Sequence, residues 1–178
     1  SIRHSLSDYV GSIYEKWIRL FYPSADMIVV LTAHEKEYLH KNYLIDFRKI
    51  TIIHNSIDRE RAHMRASEIL PWMIKHDTTF VFVTIGRLTG IKNQKLLIEA
   101  YKKLREEYEN IALWLLGDGP LKWELEQSTK WDNSITFFWN QKNIYPYLKN
   151  ASCFVLTSFS EAFPNVILQA MAMWLPVI

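Results

Sequence analysis

The sequence is poor in cysteine and glycine, and both shortages limit the kind of protein it encodes. Cys153 is the single cysteine among 178 residues, which excludes an internal disulfide. It lies in the apolar run Cys153-Phe154-Val155-Leu156, which predicts a small buried core residue in a protein of a reducing compartment. Five glycines fall well below the usual share of about 7%, so few positions accept a left-handed backbone without strain.

Long apolar runs, a signal peptide and a strong charge of one sign are also missing. The longest apolar runs are short, such as residues 80–85, whereas a membrane-spanning helix needs about 18 apolar residues. Residues 1–4 lack the apolar core of a signal peptide. A net charge of +2 without a face-wide basic run argues against nucleic-acid binding. Because the chain starts without Met and stops where a strand begins, at Pro176-Val177-Ile178, we expect a segment of a longer protein.

The residues that are present predict an α/β protein with a well-packed core. Apolar residues make up 49% of the chain and charged residues 22%, a balance typical of globular domains. Short β-branched runs of the kind buried on both faces of a parallel sheet alternate with stretches of helical spacing. The predicted strands are residues 27–31, 50–53, 79–85, 111–116, 135–138 and 153–156. The predicted helices are residues 5–21, one starting after the capping box Thr32-Ala33-His34-Glu35, and 93–108, 121–129, 145–149 and 164–173.

Four loops follow the carboxyl ends of strands, where ligands bind in open parallel sheets: residues 86–93, 117–120, 139–143 and 157–165. In the first loop, Gly86 allows a turn and Arg87 and Lys92 lie close to the start of a helix. Cations beside helix amides suit a diphosphate. The alternative is a solvated loop whose cations pair with surface carboxylates.

The second loop, Gly117-Asp118-Gly119-Pro120, matches the dinucleotide fingerprint only in part, because Lys122 stands where a third glycine belongs. A glycine-rich turn between strand and helix is the better interpretation. An oxidoreductase would also need an acidic residue after the next strand, and residues 135–139 contain none. Six histidines show no metal-ligand spacing, so no bound metal is predicted.

The fourth loop carries the strongest signal. Glu161 precedes a helix whose first free amides belong to Phe163 and Asn165, and Gln169 lies eight positions further on, just over two helical turns. A carboxylate can accept hydrogen bonds from sugar hydroxyls while the amides bind phosphate. The alternative is that Glu161 caps the helix and Gln169 is a surface residue.

Together these motifs resemble a known family, the retaining glycosyltransferases with two Rossmann-like domains, the GT-B class. Residues 141–151 are especially similar to members that build bacterial surface polysaccharides. The resemblance implies an α/β fold of GT-B type. Residues 1–54 would be the C-terminal part of the acceptor-side Rossmann-like domain. Residues 55–178 would be most of the donor-binding Rossmann-like domain, truncated at its C-terminus.

The resemblance also implies a reaction and a site. A sugar would pass from a UDP- or GDP-linked donor to a glycan or lipid-linked acceptor with retention, without a metal or other cofactor. The location would be the cytoplasm, where peripheral association with the inner face of the membrane is one possibility. Glu161 would be the catalytic residue facing the donor sugar, and Gln169 would contact the nucleotide ribose. The other donor-binding residues would be Gly86, Arg87, Lys92, Phe163, Pro164 and Asn165.

Several departures from the family keep other interpretations open. Gln169 replaces a glutamate, Ala162 replaces a glycine, and Trp139 and Trp174 stand where the family has glycine. Trp174 follows a helix, where a left-handed glycine is favoured, so we predict positive φ or a distorted helix end there. One hypothesis is that some tryptophans come from UGA codons that the organism reads as glycine. The alternatives are a degenerate, non-catalytic binding domain and a sugar-nucleotide epimerase of the same architecture.

Overall fold

A computed structural model describes residues 15–69, 79–161 and 163–178 of the chain. The chain divides into two compact units, Ser1–Asn55 and Ser56–Ile178. Every strand pair in the described residues is parallel, so the predicted parallel α/β fold is confirmed. None of the described helices is long and apolar enough to cross a membrane.

The first unit contains a two-stranded parallel sheet with helices around it. Its elements are helix α1 over residues 15–21, β1 (Ile28–Val30), α2 (Ala33–Tyr43) and β2 (Ile50–Ile52), with short 3-10 turns at Tyr22–Ser24 and Phe47–Lys49. The first part of the helix predicted over residues 5–21 lies outside the described residues. The strands match the predicted ones apart from their end residues.

The capping box predicted at the start of α2 is present. The Thr32 hydroxyl accepts a hydrogen bond from the backbone N–H of Glu35, and the Glu35 carboxylate accepts one from the backbone N–H of Thr32. Two amides that the first helical turn leaves without partners are thereby satisfied. The four residues of the capping box were therefore enough to predict where this helix begins.

Burial on both faces, expected for the strands, is not found in the first unit. Val30 and Ile50 are buried with Tyr43 and Ile45. Val29, which precedes Val30 on β1, is 53% exposed. Successive side chains of a strand point to opposite faces of the sheet. One face is therefore packed, and the other is not covered by the part of this unit that the structure describes.

The second unit contains a four-stranded parallel sheet in the order β5-β4-β3-β6. Its strands are β3 (Phe80–Ile85), β4 (Ile111–Leu116), β5 (Ile135–Phe138) and β6 (Cys153–Phe154). Its helices are α3 (Arg59–Arg65), α4 (Gln94–Glu107), α5 (Lys122–Thr129), α6 (Tyr145–Asn150) and α7 (Asn165–Ala172). Val177 pairs in parallel with Phe154 on the outer side of β6.

Helices cover both faces of this sheet, as the alternation of strands and helices predicts. Val81 and Val83 point into a core shared with α3, α6 and α7, whereas Phe82 packs against the core under α4 and α5. Cys153 is buried in the latter core, which confirms its predicted place. The sheet is therefore buried on both sides, and only its edges and strand ends meet solvent.

One helix was missed by the sequence analysis, and the end of β6 and the start of α7 were misplaced. Helix α3 was not predicted. It begins after Asp58, whose carboxylate accepts a hydrogen bond from the backbone N–H of Arg61, a standard helix cap. Strand β6 ends two residues earlier than expected. Pro164 lies at the cap position before α7 with extended ψ of 110°, so the helix starts at Asn165 and not at the proline.

Candidate functional site

The sheet order places the predicted site loops next to one another. Strand β3 lies between β4 and β6, and all these strands run in the same direction. The loop after β3, which carries Arg87 and Lys92, is therefore flanked by the Gly117 loop and by the Glu161 loop at the carboxyl edge. This edge is where ligands bind in doubly wound sheets.

The two glycines of the second loop serve close backbone packing. Gly117 has φ of 141°, and a Cβ there would lie 2.0 Å from the carbonyl oxygen of Gly86. A Cβ on Gly119 would lie 2.3 Å from the carbonyl oxygen of Leu88. Backbone hydrogen bonds join the same segments, from Leu88 N–H to the Asp118 carbonyl at 2.9 Å. The loop is a structural turn that supports the Arg87 loop, as the simpler interpretation of its sequence predicted.

A cavity of about 370 Å³ opens between the ends of β3, β4 and β5. Arg87 is exposed at this cavity, and no ion pair of its guanidinium is found within the described ranges. The lining residues are Ile85, Gly86, Arg87, Leu116, Gly117, Asp118, Asn140, Gln141 and Ile144. Gly86 and Arg87, two of the predicted donor-binding residues, thus line the same cavity as Asn140 and Gln141 of the third loop.

Lys92 and Glu161 form an ion pair between two loops that are 69 positions apart in sequence. Their side chains are only 26% and 21% exposed. Partial burial by itself raises the pKa of Glu161, but hydrogen bonds from the Lys92 ammonium and the Ser158 hydroxyl, together with the charge of Lys92, outweigh burial and hold the pKa below its usual range. The carboxylate is therefore ionised at neutral pH, and a cation and an anion meet at the carboxyl edge of the sheet.

The alternative in which Glu161 caps the following helix is wrong. Helix α7 is preceded by Pro164, and no side chain makes a capping hydrogen bond there. Asn165 is the first helical residue and is exposed. The first amides of α7 therefore lack a side-chain cap, and Glu161 is directed to Lys92 instead.

Gln169 lies only four residues into α7, half-buried, rather than two helical turns beyond Glu161. In the described part of the chain, no hydrogen bond joins it to Lys92 or Glu161. Phe163 and Pro164 occupy the short segment between Glu161 and the helix. Ala162, which replaces a family glycine, lies outside the described residues.

Sequence reasoning missed two side chains that support the site. Gln94 is 2% exposed, and its amide Nε2 donates a hydrogen bond to the Arg87 carbonyl at 3.0 Å. The Thr157 hydroxyl lies 3.1 Å from the Lys92 carbonyl and 3.0 Å from the Asn93 carbonyl. Gln94 was detectable in principle, because it is a polar residue on the buried stripe of α4 with Leu97, Ile98 and Tyr101.

The predicted backbone conformation at Trp174 is confirmed. Its φ is 60°, in the left-handed region, and its side chain is 75% exposed. The Arg59 guanidinium lies 4.9 Å from the centre of the indole ring. Trp139 has no positive φ, so the backbone there does not require glycine. Of these two positions, Trp174 alone gives the recoded-tryptophan hypothesis physical support.

Comparison with known families identifies the class of protein that this fold and site define. Residues 79–178 match the family described as glycosyl transferases group 1, and residues 2–61 match glycosyltransferase family 4. Since the first match covers more than half of the chain, the protein belongs to the group 1 glycosyltransferases.

Curated relatives extend the match along almost the whole chain. An uncharacterized glycosyltransferase of Methanocaldococcus jannaschii is 33% identical over 182 residues, covering 97% of this chain and 45% of the relative. The N-acetylgalactosamine-N,N'-diacetylbacillosaminyl-diphospho-undecaprenol 4-alpha-N-acetylgalactosaminyltransferase of Campylobacter jejuni is 29% identical over 175 residues, covering 97% and 46%. The chain spans about half the length of the curated relatives it matches.

Solved structures show the same fold. The pneumococcal O-GlcNAc transferase in complex with UDP and GlcNAc superposes with a TM-score of 0.72 at 18% identity, covering 92% of this chain and 32% of that one. An Anabaena protein, HepE, in complex with UDP and glucose gives 0.67 at 20% identity, covering 86% and 44%. The likeness establishes a partial GT-B fold, as the sequence resemblance implied.

Proposed function

We propose that the protein is a retaining glycosyltransferase that moves a hexosyl or N-acetylhexosaminyl group from a nucleotide-sugar donor to a glycan or lipid-linked acceptor in surface polysaccharide biosynthesis. The observation that carries this proposal is the pairing of Lys92 with Glu161 at the carboxyl edge of the sheet, in the same loop region that carries Arg87. Cations for a diphosphate and a carboxylate for a sugar are the groups that donor binding needs at this edge.

In this proposal Arg87 and Lys92 bind the donor diphosphate, together with the uncapped amides at the start of α7. These groups stabilise the negative charge that develops on the departing nucleoside diphosphate. Each charge-assisted hydrogen bond contributes about 1.5–3 kcal/mol. Because the protein supplies the positive charge, the proposal requires no metal and no further cofactor.

Glu161 faces the donor sugar and accepts hydrogen bonds from its hydroxyls. The incoming diphosphate competes with Glu161 for the Lys92 ammonium, which frees carboxylate oxygens for the sugar. The cavity beside Gly86 and Arg87 receives the UDP or GDP moiety, and Gln169 donates or accepts a hydrogen bond at the ribose. The second unit is thus the donor-binding domain, and the first belongs to the acceptor-side domain.

Relatives support the substrate classes. The pneumococcal transferase structure holds UDP and GlcNAc, and the Campylobacter relative acts on a diphospho-undecaprenol carrier. The UDP-Gal:alpha-D-GlcNAc-diphosphoundecaprenol alpha-1,3-galactosyltransferase of Escherichia coli, 29% identical over 176 residues, is another such relative. By analogy we propose a lipid-linked acceptor and an enzyme of the cytoplasm that works at the inner face of the membrane.

The test is donor binding and transfer by the full-length protein. Calorimetric titration with UDP and with GDP identifies the nucleotide. Arg87→Ala is expected to weaken its affinity about tenfold or more, because one charge-assisted hydrogen bond is lost, and to slow transfer. Arg61→Ala, which removes an exposed arginine of α3, is the matched control and should change neither quantity. Equal affinities of wild type and Arg87→Ala would remove Arg87 from the diphosphate role.

A non-catalytic nucleotide-sugar-binding domain is the second candidate, favoured by the uncharged Gln169 in place of a carboxylate. It predicts nucleotide binding without transfer or donor hydrolysis. Nuclear magnetic resonance of the products separates both candidates from an epimerase, which would return a nucleotide sugar with an inverted hydroxyl and no transferred sugar.

A further inference from the structure

The two loops that meet in the Lys92–Glu161 pair are joined beneath it by a hydroxyl group. Thr157 follows β6 and is half-buried, and its Oγ1 lies within 3.1 Å of the backbone carbonyls of both Lys92 and Asn93. A hydroxyl carries a single proton, so the two carbonyls share one donor. The contact links the backbone of the Lys92 loop directly to the segment that leads to Glu161.

This contact continues the strand pairing past the end of the sheet. Strands β3 and β6 pair through Phe82 with Cys153 and Val83 with Phe154, and Val155 N–H still donates to the Val83 carbonyl at 2.8 Å. Beyond this point the regular pairing of β3 with β6 stops, although β3 continues to Ile85 before it turns into the Arg87 loop. Thr157 and then Phe159, whose N–H donates to the Ile91 carbonyl at 2.9 Å, hold the two segments together.

We propose that Thr157 is a positioning residue that sets the separation between the Lys92 ammonium and the Glu161 carboxylate, and thereby the geometry in which the donor's diphosphate and sugar are held. This inference rests on the function proposed above. A lysine ammonium sits on a flexible four-carbon chain, so the loop backbones must restrict where it meets the carboxylate. Groups held within a fraction of an ångström bind and react far better than loosely held ones.

The hydroxyl of Thr157 rather than its volume is the functional part. Thr157→Val keeps the shape of the side chain but removes its hydroxyl. The backbone carbonyls of Lys92 and Asn93 then lose the hydrogen bond that this hydroxyl donates. Thr157→Ser keeps the hydroxyl. Thr129→Val is the matched control, since the buried Thr129 hydroxyl also donates to a backbone carbonyl, that of Leu125 at 3.0 Å, but within α5.

The first measurement is calorimetric titration of the full-length protein with UDP and with GDP. Thr157→Val is expected to weaken the affinity for the nucleotide that wild type binds by about threefold to tenfold, the equivalent of one hydrogen bond. Thr157→Ser should restore it. Thr129→Val should lower thermal stability but leave the affinity unchanged.

The second measurement needs no ligand. Carbon-13 carboxyl shifts followed during a pH titration report the pKa of Glu161. In wild type this pKa lies below its usual range because the Lys92 ammonium and the Ser158 hydroxyl together outweigh the effect of burial. Thr157→Val should raise it toward the ordinary glutamate value, because the pair loosens, whereas Thr157→Ser and Thr129→Val should leave it low.

The outcomes separate the two proposals. If wild type binds neither UDP nor GDP, the proposed function fails, whatever the titration shows. If wild type binds a nucleotide but Thr157→Val binds it equally well and keeps the low Glu161 pKa, the positioning role of Thr157 is overturned. If Thr157→Ser loses as much affinity as Thr157→Val, the hydroxyl is not sufficient and the shape of the side chain is needed, which also overturns the assignment of the role to the hydroxyl.

Discussion

At position 174 a large aromatic side chain occupies a backbone conformation that glycine adopts without strain. A non-glycine residue in the left-handed region costs about 1–2 kcal/mol. The exposed indole of Trp174 fills no core pocket. The interaction that offsets this backbone strain is the contact of the Arg59 guanidinium with the indole ring. Such an exposed cation–π contact contributes about 0.5–1 kcal/mol, so the residue is close to neutral or destabilising where it stands.

Trp174→Gly in the full-length protein is therefore expected to raise the free energy of unfolding by up to about 1 kcal/mol, measured by urea denaturation. Trp123→Gly is the matched control: this tryptophan is 73% exposed but lies inside α5, where glycine costs about 1 kcal/mol. A loss of several kcal/mol in Trp174→Gly would show that the indole packs in a core, and would remove the support for a recoded codon.

Among individual residues, those with charge were predictable and those that hold the backbone were not. Arg87, Lys92 and Glu161 stand in loops after strands, and their side-chain chemistry together with the family resemblance singles them out. The role of Thr157 depends on a hydrogen bond to carbonyls 65 and 64 positions away. A threonine in a loop has no local signal for such a contact, because the contact exists only once the sheet is assembled.

At the scale of elements, the strands and long helices followed from the sequence, since β-branched runs and helical spacing need no knowledge of the fold. Helix α3 was missed because it is short and mostly polar, so its periodicity is weak. The start of α7 was misplaced by one residue because proline is common both at a helix cap and in the first turn. Packing between the loops, such as the contact of Gly119 with Leu88, had no sequence signal beyond the glycines themselves.

Gly119→Ala is expected to destabilise the second unit by several kcal/mol, about 2–4 kcal/mol. The new methyl group would meet the Leu88 backbone at 2.3 Å and push the Arg87 loop away. Gly90→Ala, where a Cβ has no neighbour within 4 Å, should be neutral or stabilise by about 0.4–1 kcal/mol through the unfolded chain. The melting temperatures of the two variants, measured by thermal unfolding, test both expectations. Equal melting temperatures would contradict the close approach.

At the scale of the whole molecule, the chain spans 45% of the Methanocaldococcus relative and 46% of the Campylobacter relative. Our proposal assigns most of the donor-binding side to this chain. The GT-B class followed from the ordered motifs of the sequence. The acceptor did not, because no motif in the 178 residues specifies it.

We therefore expect residues 1–178 alone to bind UDP or GDP weakly and to transfer no sugar, because they span less than half the length of these two relatives. Calorimetric titration and a transfer assay with the chain by itself test this. Arg87→Ala in the same chain serves as the control and should abolish the remaining nucleotide binding. Measurable transfer by the chain alone would contradict the expectation.

The strand order β5-β4-β3-β6 also has a consequence for how the protein folds. Strands β3, β4 and β5 are consecutive along the chain and pair through short separations, whereas Phe82 meets Cys153 after 71 intervening steps along the chain. Closing such a long loop is slow, because its entropy must be lost before the contact forms. During synthesis the edge of β3 that later receives β6 stays open and apolar, a template for pairing with other chains. Lys92 and Glu161 meet only after that last strand docks, so assembly of the site coincides with protection against aggregation.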